Sequence, residues 1–330
     1  MKIFDAHNHW YPPPLVEAYL DRTEYPRWRK DGGAYSVELA PERWYALPPQ
    51  FFELDRQVAE MQSAGVDAVI SSSASFGDVD GLPLPRAREV AIAVNEARAS
   101  AERQYEGYFY GLATIPWQDT DAALEVLQDA VERLGLRGVL IHTNIAGRPI
   151  DSDHCFPVYE QLAEQGIPLF IHPTRTVMEE HLRQYGLEYV LGYMFDSSIA
   201  AVRLVFGEIV QRLPQLKVVH PHAGAAVPYL AGRIDSSYSQ GYSLDRTFPR
   251  APSQYLANFH TDTMCQSRAT LQLAKEFYGV RHVLFGSDYP YFGPQEALDF
   301  VRSALSEEEA IDVLSVNAAK LLGLEGLLNC

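Results

Sequence analysis

Two histidines separated by one residue close an apolar run near the N-terminus, Lys2-Ile3-Phe4-Asp5-Ala6-His7-Asn8-His9. On an extended strand side chains alternate faces with period two, so His7 and His9 point the same way. Two imidazoles a few ångströms apart can share one divalent metal ion through neutral ring nitrogens. Read alone, the pattern is equally a surface dipeptide with no partner. Its weight comes from other polar residues at or just past the ends of later apolar runs: His142, His172, His220, His222, Asp262 and Asp288. A third histidine and an aspartate from this set would complete a metal site, and an imidazole that titrates near neutrality suits proton transfer beside it.

The elements that must position these groups follow from periodicity. Helix-like and strand-like patterns alternate after residue 50. Strands are predicted at Asp67–Ser71, Tyr108–Thr114, Arg137–His142, Ile167–His172, Leu216–His220, Ala257–Asp262 and Arg281–Gly286, in addition to the first. Helices are predicted at Phe51–Ala64, Arg86–Arg103, from a cap at Thr120 or Asp121 to Leu134, at Phe156–Gln165, Ser197–Leu213 and Leu271–Phe277, with two more between Gln295 and Leu322. Short apolar strands without alternation, each followed by a helix, are parallel strands covered on both sides. Eight of them predict a (β/α)8 TIM barrel, whose active site lies at the C-terminal ends of the strands. A doubly wound open sheet is the alternative, but no Gly-x-Gly-x-x-Gly turn follows the first strand. The whole chain, 1–330, is read as one domain. Residues 10–50, rich in Pro, Tyr, Trp and Arg, are read as a loop insertion over the active site, with Arg27, Arg29 and Arg43 as anion contacts.

Composition narrows the function classes. The 330 residues are 47% hydrophobic and 21% charged, enough for a large core. A formal net charge of −16 opposes long contacts with nucleic acid or an anionic membrane, so an anionic small substrate needs local arginines. No run of about 18 apolar residues is apparent and no signal core opens the chain, which reads as soluble and cytoplasmic. Cys155, Cys265 and Cys330 lack metal or redox spacing and are read as reduced bystanders.

Taken together the motifs resemble the amidohydrolase superfamily, in the branch containing aminocarboxymuconate semialdehyde decarboxylase and related metal-dependent enzymes. The resemblance runs collinearly through Asp5-Ala-His-Asn-His9, Met61-Gln-Ser-Ala-Gly-Val66, Phe156-Pro-Val-Tyr159, Phe170-Ile-His-Pro173, His222-Ala-Gly224, Gly232-Arg-Ile234, Phe259-His-Thr-Asp262, Gly286-Ser-Asp-Tyr-Pro290 and Asn317-Ala-Ala-Lys-Leu-Leu-Gly323. It implies one divalent ion, zinc first and manganese second, held by His7, His9, His172 and Asp288. Without those partners His172 would read as a core histidine and Asp288 as a turn cap.

The resemblance further implies that His222 is the catalytic base and proton carrier, with His220 its structural rival. Asp288 takes a catalytic role as well. Arg233 resembles an arginine that enters a neighbouring subunit's active site to bind a substrate carboxylate, which implies a homodimer; the alternative is an exposed salt bridge. Arg43 is the nearest candidate for a second such arginine, although Pro41-Glu-Arg-Trp44 departs from the family pattern. Arg175, following His172-Pro-Thr174, is read as an extra anion contact. His142 and His260 are read as pocket or core residues, and His154, His181 and His282 as packing or surface residues. The expected activity is decarboxylation of a small unsaturated or aromatic carboxylic acid, with hydrolysis of a lactone, amide or related cyclic substrate as the alternative.

Overall fold

The computed structural model describes residues 1–176, 178–242 and 246–329. Its framework is eight short strands, β1 (Phe4–His9), β2 (Ala68–Ser72), β3 (Phe109–Gly111), β4 (Val139–His142), β5 (Leu169–His172), β6 (Val218–Val219), β7 (Thr261–Asp262) and β8 (Val283–Leu284). Each lies within or one residue beyond its predicted run and is mostly shorter. Parallel ladders join β1 to β2 and β2 to β3, β4 to β5 and β5 to β6, and β7 to β8. Single parallel bridges connect these groups: Ala113 with Val139, Val219 with His260, and Asn8 with Tyr289. With helices between successive strands, this is a mixed α/β fold.

The strands carry an apolar floor. Phe4, Ala6, Ala68, Ile70, Leu112, Leu140, Phe170, Val219 and Leu284 pack together, closed by Ala318, Ala319, Leu321 and Leu322 from the C-terminal helix. Leu140 and Phe170 share strand parity with His142 and His172, so these histidines sit one layer above the floor. Strand β1 breaks the strict alternation assumed from sequence, because its register slips between Asp5 and Asn8. The slip lets Ala6 join the floor while His7, its immediate neighbour, lines the same small cavity above it. Such bulges re-aim side chains beside active sites.

Local chemistry accounts for the helix ends. Asp119, and not Thr120 or Asp121, caps the helix Thr120–Gln128, its carboxylate accepting from the Ala122 N–H at 3.0 Å. Its extended backbone suits the cap position, which the two following residues, already helical, cannot fill. The helices Val227–Ser239 and Pro252–Leu256 add to those read from sequence.

The largest correction concerns residues 10–50, which are not an irregular loop. They form a helix, Pro13–Leu20, and an antiparallel three-stranded sheet, Arg27–Asp31, Ala34–Ala40 and Arg43–Leu47. Trp28, Val37, Leu39 and Leu47 from that sheet are buried with Tyr11, Tyr19 and Phe51. The first hairpin turns at Gly32 and Gly33, whose φ values of 53° and 92° lie where residues with a Cβ are strained. The helical stretch Glu188–Phe206 is long and apolar enough to cross a membrane by length and composition alone, and half of its most apolar window is buried in the protein. Cys155 is a buried free thiol and Cys265 a partly buried one; Cys330 lies outside the described residues.

Candidate active site

Four side chains converge above the floor: His7 and His9 from the end of β1, His172 from the end of β5, and Asp288 from the turn after β8. One ligand-capable atom from each lies within 4.8 Å of the others, and all four residues are buried. His9 Nε2 is 3.0 Å from Asp288 Oδ1, and His7 Nε2 is 3.4 Å from the same oxygen.

The ring nitrogen on the far side of each histidine is held from behind. His7 Nδ1 meets Asp262 Oδ2 at 2.7 Å, His9 Nδ1 meets Ser72 Oγ at 3.1 Å, and His172 Nδ1 donates to the Pro173 carbonyl at 2.8 Å. Outer partners of this kind fix ring orientation and leave the Nε2 lone pair pointing inward. His7 Nε2 is buried without a hydrogen-bond partner among the described residues. An orphaned imidazole nitrogen facing two other imidazoles and a carboxylate fits a divalent cation.

The electrostatics prepare two of the three rings for that role. Burial, followed by the nearby His9 and His7, pushes His172 well below the usual histidine range. Burial likewise lowers His9 to about 4, so both rings are neutral at pH 7. His7 differs: burial would lower it, but the charges of Asp288 and Asp262 raise it to about 9. Burial would also raise Asp288, yet the charge on His7 and the contacts from His222 and His9 hold its carboxyl well below the ordinary carboxylate range.

His222 stands beside the four. Its ring centroid is 5.1 Å from that of His7, and its Nε2 is 3.7 Å from Asp288 Oδ2. Both His222 and Asp288 adopt left-handed backbone, with φ of 57° each, a strained conformation for residues with a Cβ. Two glycines make room: a Cβ on Gly286 would meet His7 Cβ at 2.7 Å, and one on Gly224 would overlap the Tyr278 hydroxyl. The rival His220 is fully buried, with Nδ1 3.3 Å from the Tyr278 hydroxyl.

An aromatic wall flanks the cluster. Phe51 lies 6.5 Å from the His9 ring, Tyr291 lies 6.3 Å from it, and Phe51 and Tyr291 are in edge contact at 5.0 Å. The three arginines have different settings. Arg43 is paired with buried Glu188. Arg175 lines a separate cavity of about 410 Å³ with Arg22, Asp78, Asn144 and Thr174. Arg233 is exposed on the helix Val227–Ser239. Arg27 and Arg29 both pair with Glu38 inside the insertion.

The remaining histidines separate clearly. His142 is buried 6.4 Å from the His172 ring. His154 contacts the Trp117 carbonyl at 3.0 Å, and His181 is exposed. His260 and His282 pair with each other at 4.9 Å before the starts of β7 and β8. Sequence reasoning placed Asp262 among the strand-end residues without giving it an orienting role, and passed over Ser72, Phe51 and Tyr291. For Asp262 a signal was present, a carboxylate closing an apolar run one strand away from the His-x-His pair.

Comparison with known proteins shows what the chain is similar to. The family described as Amidohydrolase matches residues 4–324. The chain is 29% identical over 244 residues to a 2-amino-3-carboxymuconate-6-semialdehyde decarboxylase of Dictyostelium discoideum, covering 72% of this chain and 68% of that one. It is 29% identical over 307 residues to a 6-methylsalicylic acid decarboxylase of Penicillium expansum, covering 90% and 87%. The structure of 5-carboxyvanillate decarboxylase from Novosphingobium aromaticivorans, which holds manganese, superposes with a TM-score of 0.84 at 22% identity over 98% of this chain and 97% of that one.

Proposed function

The chain belongs to the amidohydrolase family, and from that premise we propose that it is a metal-dependent carboxy-lyase that removes CO2 from a small aromatic or unsaturated carboxylic acid. The observation that carries this reading is the convergence of His7, His9, His172 and Asp288, with His222 beside them, against the Phe51 and Tyr291 wall. We infer that the three bridges close the eight strands into one (β/α)8 barrel, forming a single domain over 1–330 with this cluster at its C-terminal mouth.

His7, His9, His172 and Asp288 would hold the ion, zinc or manganese. When bound, it supplies Lewis-acid polarisation of a substrate oxygen. The chain's own groups account for the rest. Asp262, Ser72 and the Pro173 carbonyl keep the three imidazoles aimed inward. The apolar floor and the aromatic faces take a planar ring and exclude water around it. His222 carries the proton: the bond between the ring or vinyl carbon and its carboxylate breaks, CO2 departs, and the electron pair left on that carbon takes a proton from the imidazolium. Asp288, in contact with His222, steadies that charge.

Substrate carboxylate recognition falls to arginine, whose planar fork matches a carboxylate. In this reading Arg43 serves from within the chain, and Arg233, exposed on its helix, serves a neighbouring subunit in a homodimer. Tyr229, four residues before Arg233 on the same helix, is exposed as well, which supports such a contact. Mixing inactive His222→Asn with inactive Arg233→Ala subunits then restores activity in heterodimers; mixed dimers that stay inactive remove Arg233 from the site. Product mass from a panel of hydroxybenzoic, unsaturated and lactone substrates tests the reaction. Loss of CO2 supports the lyase, and gain of water supports the hydrolase alternative.

A further inference from the structure

Of the insertion's arginines, Arg27 and Arg29 pair within the insertion, with Glu38, whereas Arg43 reaches across to Glu188, 145 residues away in sequence. The Glu188 side chain is 1% exposed and that of Arg43 is 16% exposed. A carboxylate buried so deeply is costly unless a cation accompanies it, so this pair is strongly coupled. A second contact runs in parallel: Tyr45, two residues after Arg43, meets Tyr189, next to Glu188, edge-on at 5.3 Å, and Tyr189 meets Tyr193 at 5.2 Å. Burial pushes the Tyr189 phenol upward, Tyr45, Glu188 and Tyr291 add to the shift, and Arg43 opposes it. Tyr189 thus feels both Arg43 and Tyr291, and Tyr291 is the wall residue beside His9. Arg43 itself opens the outer strand of the insertion sheet.

We propose that Glu188 is a positioning residue: it fixes the plane of the Arg43 guanidinium, and with it the insertion sheet, so that Arg43 meets the carboxylate of an aromatic acid bound against Tyr291. This rests on the proposed role of Arg43 as a substrate contact. A long side chain on an edge strand has many rotamers, and an anionic partner at Nη2 selects one before substrate arrives, which lowers the ordering cost of binding.

The test uses the metal-loaded protein and its Glu188→Gln variant, which keeps side-chain shape and removes the charge. Expected are an unchanged metal content, a rise in KM of about tenfold or more with kcat within about threefold, and faster amide exchange across 27–47. Glu188→Asp recovers part of the KM. In an Arg43→Ala background Glu188→Gln adds nothing further, because the two act as one unit. An unchanged KM in Glu188→Gln overturns the proposal, whether or not exchange changes, as does full additivity with Arg43→Ala. If the wild-type protein decarboxylates none of the acids, the functional reading fails separately, and calorimetric binding of benzoate takes the place of KM. Weaker benzoate binding in Glu188→Gln then upholds the positioning role, and equal binding overturns it.

Discussion

Histidines stand at both ends of the parallel strands, and the two ends treat them differently. At the C-terminal ends His7, His9 and His172 are buried, each held at Nδ1 by an oxygen, with Asp288 before them. At the other end His260 and His282 pair ring to ring beside Lys217, Arg281 and Lys320, around a cavity of about 600 Å³. There His282 Nδ1 donates to the Tyr278 carbonyl, and His260 Nδ1 has no hydrogen-bond partner among the described residues. Among the described residues no carboxylate pairs with either ring, and Glu308 and Asp312, which line the same cavity, share it with Lys217, Arg281 and Lys320. Proximity of imidazoles is thus not enough to make a metal site. What distinguishes the first cluster is an outer oxygen behind every ring and a carboxylate, Asp288, in contact with two of them.

Removing a member of the first cluster gives the largest effect. In His172→Ala the bound metal falls well below that of the wild type and turnover disappears; a metal content equal to wild type would take His172 out of the ligand set. His222→Asn comes next. It keeps its metal and loses roughly 10²-fold or more in turnover, the usual scale for a lost general acid or base. Near-native turnover there, with an inactive His220→Asn, would transfer the role to His220. Asp262→Asn probes the outer oxygens. Metal affinity drops roughly 10- to 100-fold while much of the turnover returns at saturating metal, as expected for a residue that orients a ligand.

The smallest effect belongs to the other end. His260→Gln leaves metal content and turnover unchanged. Burial, and then the neighbouring His282 and Lys217, lower His260 from 6.5 to about 4, so the unfolded chain binds its proton more readily than the folded one. Its contribution to stability is complete above pH 6.5 and is lost as pH falls towards 4. The variant therefore loses less thermal stability than the wild type between those limits. Parallel melting curves for the two proteins across that range would contradict this assignment.

The strand ends were legible in the sequence because an apolar run closing on a histidine or aspartate marks both a buried strand and the point where it leaves the core. His7, His9, His172, His222 and Asp288 were placed on that basis together with family resemblance, and the structure brings them together. The bulge in β1 was not legible, since a one-residue slip leaves no trace in composition. Nor was the pairing of Arg43 with Glu188, where no local rule connects positions so far apart. The insertion was legible in principle: Asp31-Gly32-Gly33 between Trp28 and Val37 is a hairpin signal, masked by the surrounding Pro and Arg residues.

The central claim is that one ion at the first cluster is what decarboxylation requires. The most direct measurement strips the protein of metal, restores zinc or manganese in steps, and follows bound metal and CO2 release from an aromatic carboxylic acid in the same samples. The account predicts that CO2 release rises in proportion to occupancy and levels off at one ion per chain. Undiminished CO2 release from the stripped protein, or none at full occupancy from any acid tested, would contradict it.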